Sequence, residues 1–175
     1  MTMTKSLKGL TRRELLSRGM AAGASFVVGA NFVTGKGAAW ATEMNAMKPD
    51  SFATLVQMAR DIYPHDKVAD EFYVAAVKGY DTPDAVDKTE AGIEMVNAKA
   101  SEMGHGSYLD IGWEADRVKV LEAIEDSEFF QTVRGGLVTG LYNQKAVWPI
   151  FGYEGESYSQ GGYINRGFDD ISWIG

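Results

Sequence analysis

The sequence predicts a small all-α bundle of about five helices. Three observations predict it. Apolar residues recur at i, i+3, i+4 and i+7 in successive windows, helix start and stop residues bracket those windows, and no convincing period-2 strand appears after residue 41.

The first helix is expected over 51–63, with Ser51 as its N-cap and Phe52, Leu55, Val56 and Ala59 as its apolar face. Pro64 ends it, because the residue before a proline avoids the α region. A second helix fits 66–78, where Val68, Phe72, Ala75 and Ala76 share a face and Gly79 is the stop. Thr82-Pro83 reads as N-cap plus N1 proline and opens a third helix through about Met103, with Ile93, Val96 and Ala100 as its stripe. Gly104-His105-Gly106 breaks it. The fourth helix is expected over 114–124, with Trp113, Val118 and Leu121 facing inward. Ser127 caps the fifth, which carries Phe129, Phe130, Val133, Leu137, Val138 and Leu141. Gly135, Gly136 and Gly140 also fall in that helix. Each costs roughly 1 kcal/mol against Ala, so close approach by another backbone, within the bundle or from a partner, is expected there.

From residue 144 the pattern changes. Trp148, Phe151, Tyr153, Tyr158, Tyr163, Phe168 and Trp173 alternate with five glycines, and neither the helix nor the strand period fits. A glycine-rich segment loses much entropy on ordering. Rings that each bury on the order of 150–250 Å² must find cover on the bundle, on another protein, or some on each. The chain thus divides into an N-terminal segment 1–41, a helical domain 42–143 and an irregular aromatic arm 144–175 that reads as a partner-docking segment.

The N-terminal segment begins with Lys5, Lys8, Arg12, Arg13 and Arg18, continues through an apolar but glycine-diluted stretch at about 19–33, and ends in Ala39-Trp40-Ala41. A charged start, a short apolar middle and a small-x-small end are the parts of a signal peptide. The apolar stretch, roughly 15 residues, is short of the roughly 20 that span a bilayer. With Arg12-Arg13 followed by Leu15 and Leu16, it looks like a twin-arginine (Tat) export signal, cut before Thr42. Tat moves folded proteins, so the expected location is the periplasm, possible membrane association coming only through a complex.

The leader holds six Lys/Arg and one acid, which leaves 11 basic and 23 acidic residues over the remaining 134 and a net charge of −12. Such a domain repels phosphate backbones, so nucleic acid is not an expected partner. The chain has no Cys. That excludes disulfides, thiolate zinc sites, Cys-ligated iron–sulfur clusters and a C-x-x-C-H haem attachment in this chain.

Little catalytic chemistry is written in the rest. His65 sits beside Asp66 and near Asp61, and a carboxylate-oriented imidazole can act as general base. No nucleophile accompanies it. His105 lies between glycines on an expected exposed loop, and no His/Glu pair at i, i+3 or i, i+4 supports a metal site. The Gly-x-Gly spacings do not follow a strand, as a dinucleotide fingerprint requires. No catalytic, cofactor or metal residue is therefore assigned.

Three stretches carry a resemblance: Thr11-Arg12-Arg13-Glu14-Leu15-Leu16, then Ala59-Arg60-Asp61-Ile62-Tyr63-Pro64, and Thr139-Gly140-Leu141-Tyr142 leading to Trp148-Pro149-Ile150-Phe151-Gly152-Tyr153-Glu154-Gly155. Together they resemble the gluconate 2-dehydrogenase subunit 3 family, with Glu154 where that family often has proline. Between 67 and 127 the likeness is only in helical character. The resemblance implies a non-catalytic small subunit of a periplasmic dehydrogenase complex. Its large partner would be a glucose-methanol-choline-type flavoprotein carrying FAD and oxidising a sugar or sugar acid. A cytochrome c subunit with haem c would take the electrons, and the small subunit would supply the signal read by the Tat translocase. The alternative from the residues themselves is a stand-alone periplasmic enzyme or small-ligand binder using His65 with Asp61 or Asp66.

Overall fold

The longest apolar stripe in the sequence forms the axis of the fold. The computed structural model describes residues 45–165 and 168, with the backbone of 27–28 and 31–32. Arg12, Arg13, Leu15, Leu16, Ala39, Ala41, Thr42 and Trp173 lie outside the described residues. Helix α1 (Pro49–Ile62) buries Phe52, Leu55, Val56, Met58 and Ala59 and packs against all four other helices. Fully burying each of the larger side chains stabilises by about 1.5–3 kcal/mol. The expected stripe is correct, but the start is not. Pro49 occupies the first turn, and the Ser51 hydroxyl donates to Glu90 at 2.6 Å instead of capping the helix.

Helix α2 (Asp70–Val77) begins four residues later than expected. Arg60 is the reason. Its guanidinium donates to the Val68 carbonyl at 3.3 Å and pairs with Asp70 at 3.1 Å, which fixes 65–68 as a turn. Val68 then precedes the N-cap Ala69, while Tyr73 sits at the fourth helical position; both are fully buried, as in a hydrophobic staple. The buried face is therefore Tyr73 and Val77, and Ala75 is exposed.

A 3-10 turn (Lys78–Tyr80) leads to helix α3 (Val86–Glu102). Thr82 does not cap α3 with its side chain; its carbonyl accepts from Ala85 and Val86 and turns the chain into the helix. Ile93, Val96 and Ala100 are buried as expected. The stop is a Schellman motif: Gly104 has φ +92°, its N–H donates to Ser101, and the His105 N–H donates to Ala100.

Helix α4 (Glu114–Glu122) buries Arg117, Val120 and Leu121. Trp113 does not face inward: it stands at the N-cap position, 78% exposed, and Val118 is only half-buried. Helix α5 (Glu128–Tyr142) starts as expected, the Ser127 hydroxyl accepting the Phe130 N–H at 3.2 Å. Val133, Leu137 and Leu141 are buried, whereas Val138 is exposed. The only strands among the described residues are β1 (Val27–Val28) and β2 (Asn31–Phe32), paired antiparallel with Val27 opposite Phe32.

The glycines of α5 mark a close helix pair. A Cβ on Gly140 would lie 2.8 Å from the Ala76 carbonyl oxygen of α2, a backbone atom that cannot swing aside. A Cβ on Gly136 would collide with the Tyr80 hydroxyl, while Gly135 faces open space.

At the start of the bundle, Asp81 is fully buried and accepts backbone N–H groups from Asn45, Ala46 and Met47 at 2.8–2.9 Å. Burial alone would raise its pKa; the three amides and Lys78 outweigh it and hold it at about 2.

Three substitutions test these contacts. Gly140→Ala should lower stability by about 1–3 kcal/mol in denaturant unfolding, by wedging α2 from α5, whereas Gly135→Ala should raise it by up to about 1 kcal/mol. Because the Asp81 pKa falls from an ordinary 3.8 to about 2 on folding, its contribution is full above pH 4 and disappears as pH drops through 2. Asp81→Asn should remove about 2 kcal/mol at neutral pH and flatten the acid-unfolding slope between those limits.

Candidate partner interface

Two polar clusters and one exposed arm contain the groups able to do chemistry or to bind. The first cluster is interior. Asp61, near the end of α1, is bridged by Arg117 of α4 through Nε at 2.7 Å and Nη2 at 2.9 Å. The same carboxylate accepts the Tyr108 hydroxyl at 2.7 Å and the Gln57 side-chain amide at 3.0 Å. The remaining Arg117 nitrogen Nη1 donates to the Ile111 carbonyl at 3.0 Å. Burial and the Asp61 charge push the Tyr108 hydroxyl far up, so it stays protonated and donates. Burial pulls the Arg117 pKa down, but its bonds to Asp61 more than compensate and raise it. Asp61 thus has a full set of partners within the fold, and none of them is His65.

The second cluster lies at the surface where α5 ends. His65 is half-buried, and its Nε2 is 2.6 Å from the Tyr142 hydroxyl. The imidazole meets Tyr142 and Phe151 edge-on at centroid distances of 5.6 and 4.9 Å, and Tyr63 meets Tyr142 at 5.7 Å. No hydrogen bond joins His65 to Asp66, which is exposed. The partner of His65 is a phenol 77 residues away in sequence rather than the adjacent carboxylate. His105 is half-buried at the end of α3. Among the described residues no group of three or more His, Asp or Glu could hold a metal ion, and no helix is long and apolar enough to cross a membrane.

The arm grows out of the second cluster. Its root is fastened: Val147 is fully buried, the Trp148 indole N–H donates to the Tyr142 carbonyl at 2.8 Å, and Gln144 donates to the carbonyls of Gly140 and Phe72. Two 3-10 turns, Trp148–Phe151 and Ser157–Gln160, shape a segment that the sequence reads as irregular. Tyr153 packs edge-on against Trp148 at 5.1 Å, and Lys145 lies 5.7 Å from the same indole ring. Beyond this root the described rings are open to solvent. Phe151 and Tyr153 are about half exposed, and Tyr158, Tyr163 and Phe168 are 92%, 70% and 77% exposed. Ile164 adds to the same run at 83%. An isolated exposed apolar residue is ordinary, but a run of large ones on a single short segment is not.

No protein-family model matches the chain, and no curated protein or solved structure matches it.

The interior cluster is missed by sequence reasoning because Tyr108 and Arg117 are 47 and 56 residues from Asp61. The one legible sign is Arg117 itself, a charge at an inward position of an otherwise apolar helix stripe.

Arg117→Met should leave Asp61 buried without a counter-charge and cost about 3–5 kcal/mol in thermal or denaturant unfolding. Adding Asp61→Asn should recover part of that loss, giving a coupling energy that a double-mutant cycle reads directly.

Proposed function

We propose that this chain is a non-catalytic small subunit of a periplasmic FAD-dependent sugar or sugar-acid dehydrogenase complex. It supplies the Tat leader for a flavoprotein that has none, travels out with it folded, and stabilises it by contact. The catalytic steps belong to the flavoprotein, and electrons leave through a cytochrome c subunit.

The single observation that carries this reading is the exposed aromatic arm on a bundle that already has a complete core of its own. Tyr158, Tyr163, Ile164 and Phe168 contribute little to that core, so their large apolar surface is left for another molecule. Large aromatic side chains are the usual anchors of protein–protein contacts. The net charge of −12 on residues 42–175 argues against a second copy as occupant, since two such domains repel. A larger partner with apolar recesses and a basic rim fits better. The leader motif and the three quoted stretches of family resemblance support the same assignment. The arrangement around His65 adds no second reading, because its hydrogen-bond partner is a tyrosine and Asp61 is committed to Arg117.

The test is affinity purification of the tagged chain from its native host, followed by gel filtration read at the flavin absorbance. The chain should elute with a yellow partner. A Tyr158→Ala/Tyr163→Ala/Phe168→Ala variant should keep its unfolding midpoint, since exposed positions contribute within about 0.5 kcal/mol. Its affinity for the flavoprotein should fall by about 100-fold or more, as expected for hot-spot aromatics. Unchanged binding by the triple variant, or a wild-type chain that elutes alone, refutes the assignment.

A further inference from the structure

The chain enters the bundle through an unusual fastening. Four consecutive backbone amides, those of residues 45–48, are held by two acids that come from different parts of the fold. Asp81, at the end of the 3-10 turn after α2, accepts from Asn45 at 2.8 Å, Ala46 at 2.9 Å and Met47 at 2.8 Å. Lys78 Nζ lies 3.3 Å from the same carboxylate. Glu90 of α3 accepts the Lys48 N–H at 2.9 Å through one oxygen and the Ser51 hydroxyl at 2.6 Å through the other. The side chains of Asn45 and Ala46 are exposed, so packing does not fix this segment; the carboxylates do, with Met47 buried beneath it. Both acids reach these positions only when α2 and α3 are packed, so the fastening is a property of the folded bundle.

We propose that Asp81 and Glu90 form a clamp that slows removal of the leader once the domain has folded. The proposal rests on the export reading of residues 1–41. Only Thr42, Glu43 and Met44 separate the expected cut after Ala41 from the first clamped amide. Three residues span at most about 10 Å. A protease holds its substrate as an extended strand over several residues on both sides of the scissile bond. Two bodies of radius of gyration about 13 Å or more cannot both seat on so short a tether without the clamp opening. Cleavage then proceeds through the opened state, at a rate set by how often residues 45–48 let go. A slowly cut leader keeps the domain, and whatever it carries, attached at the membrane for longer.

The experiment follows the full-length chain, with its flavoprotein, by pulse-chase in a bacterium with an active Tat pathway. It compares wild type with Asp81→Asn, Glu90→Gln and a chain carrying six Gly/Ser residues between Met44 and Asn45. Asp81→Asn weakens three charge-assisted bonds, to residues 45–47, and Glu90→Gln weakens the one to Lys48. Each change raises local opening by about tenfold or more, so precursor half-life should shorten by at least a comparable factor in both. The insertion leaves the clamp and the bundle intact and should shorten it equally. That arm keeps the test valid if Asp81→Asn destabilises the fold. Equal half-lives in all four chains, or precursor that is never processed in any of them, overturn the clamp. An Arg12→Lys/Arg13→Lys control separates the two levels: export that ignores this change refutes the leader reading, whereas export that requires the arginines with unaltered processing refutes the clamp alone.

Discussion

Helices α1 and α4 are held in relative position by one buried ion pair. Asp61 near the end of α1 and Arg117 in α4 are both almost wholly removed from water. Desolvating two charges costs several kcal/mol each, and attraction offsets that only when the remaining hydrogen-bonding positions are filled. Here they are filled, by Tyr108, Gln57 and the Ile111 carbonyl. The pair therefore selects one arrangement of α1, α4 and the loop between α3 and α4, because a slip of any of them strands a charge. The apolar stripe of α1 supplies driving force but little directional information. In a domain without disulfides, the polar cluster provides that direction.

Charge and aromatic surface are sorted to different parts of the molecule. The interior acids Asp61 and Asp81 are bound to donors within the fold, while the exposed aromatic side chains other than Trp113 lie beyond α5. Tyr142 joins the bundle to the arm: its hydroxyl meets His65, its ring meets Tyr63 and Phe151, and its carbonyl receives the Trp148 indole. The arm is thus continuous with the bundle at its root and departs from it beyond Phe151.

Much of the bundle is legible in the sequence where the information is local. The stripe of α1, the Ser127 cap and the stop at Gly104 each depend on residues within a few positions of one another. The errors arise where a distant side chain intervenes. Ser51 and Thr82 are good capping residues, yet Glu90 takes the hydroxyl of the first and the carbonyl of the second directs the turn. Arg60 delays the start of α2 by holding Val68 and Asp70, and so shifts its buried face to Tyr73 and Val77. Trp113 is large and apolar, but as the residue just outside α4 it points off the stripe that periodicity assigns it. Of the surface groups, the ring content of the arm is plain from composition. The His65–Tyr142 contact is not, because it joins positions 77 apart.

The fastened root of the arm fixes where its exposed rings stand. Val147 and Trp148 hold the first residues of the segment against the end of α5. The turn that follows is closed on itself, Gln160 donating to the Glu154 carbonyl and the Gly162 N–H to Ser157, so Tyr158 is held outward by local bonds and not by the core. Loosening the root would therefore displace the rings without emptying the interior of the bundle.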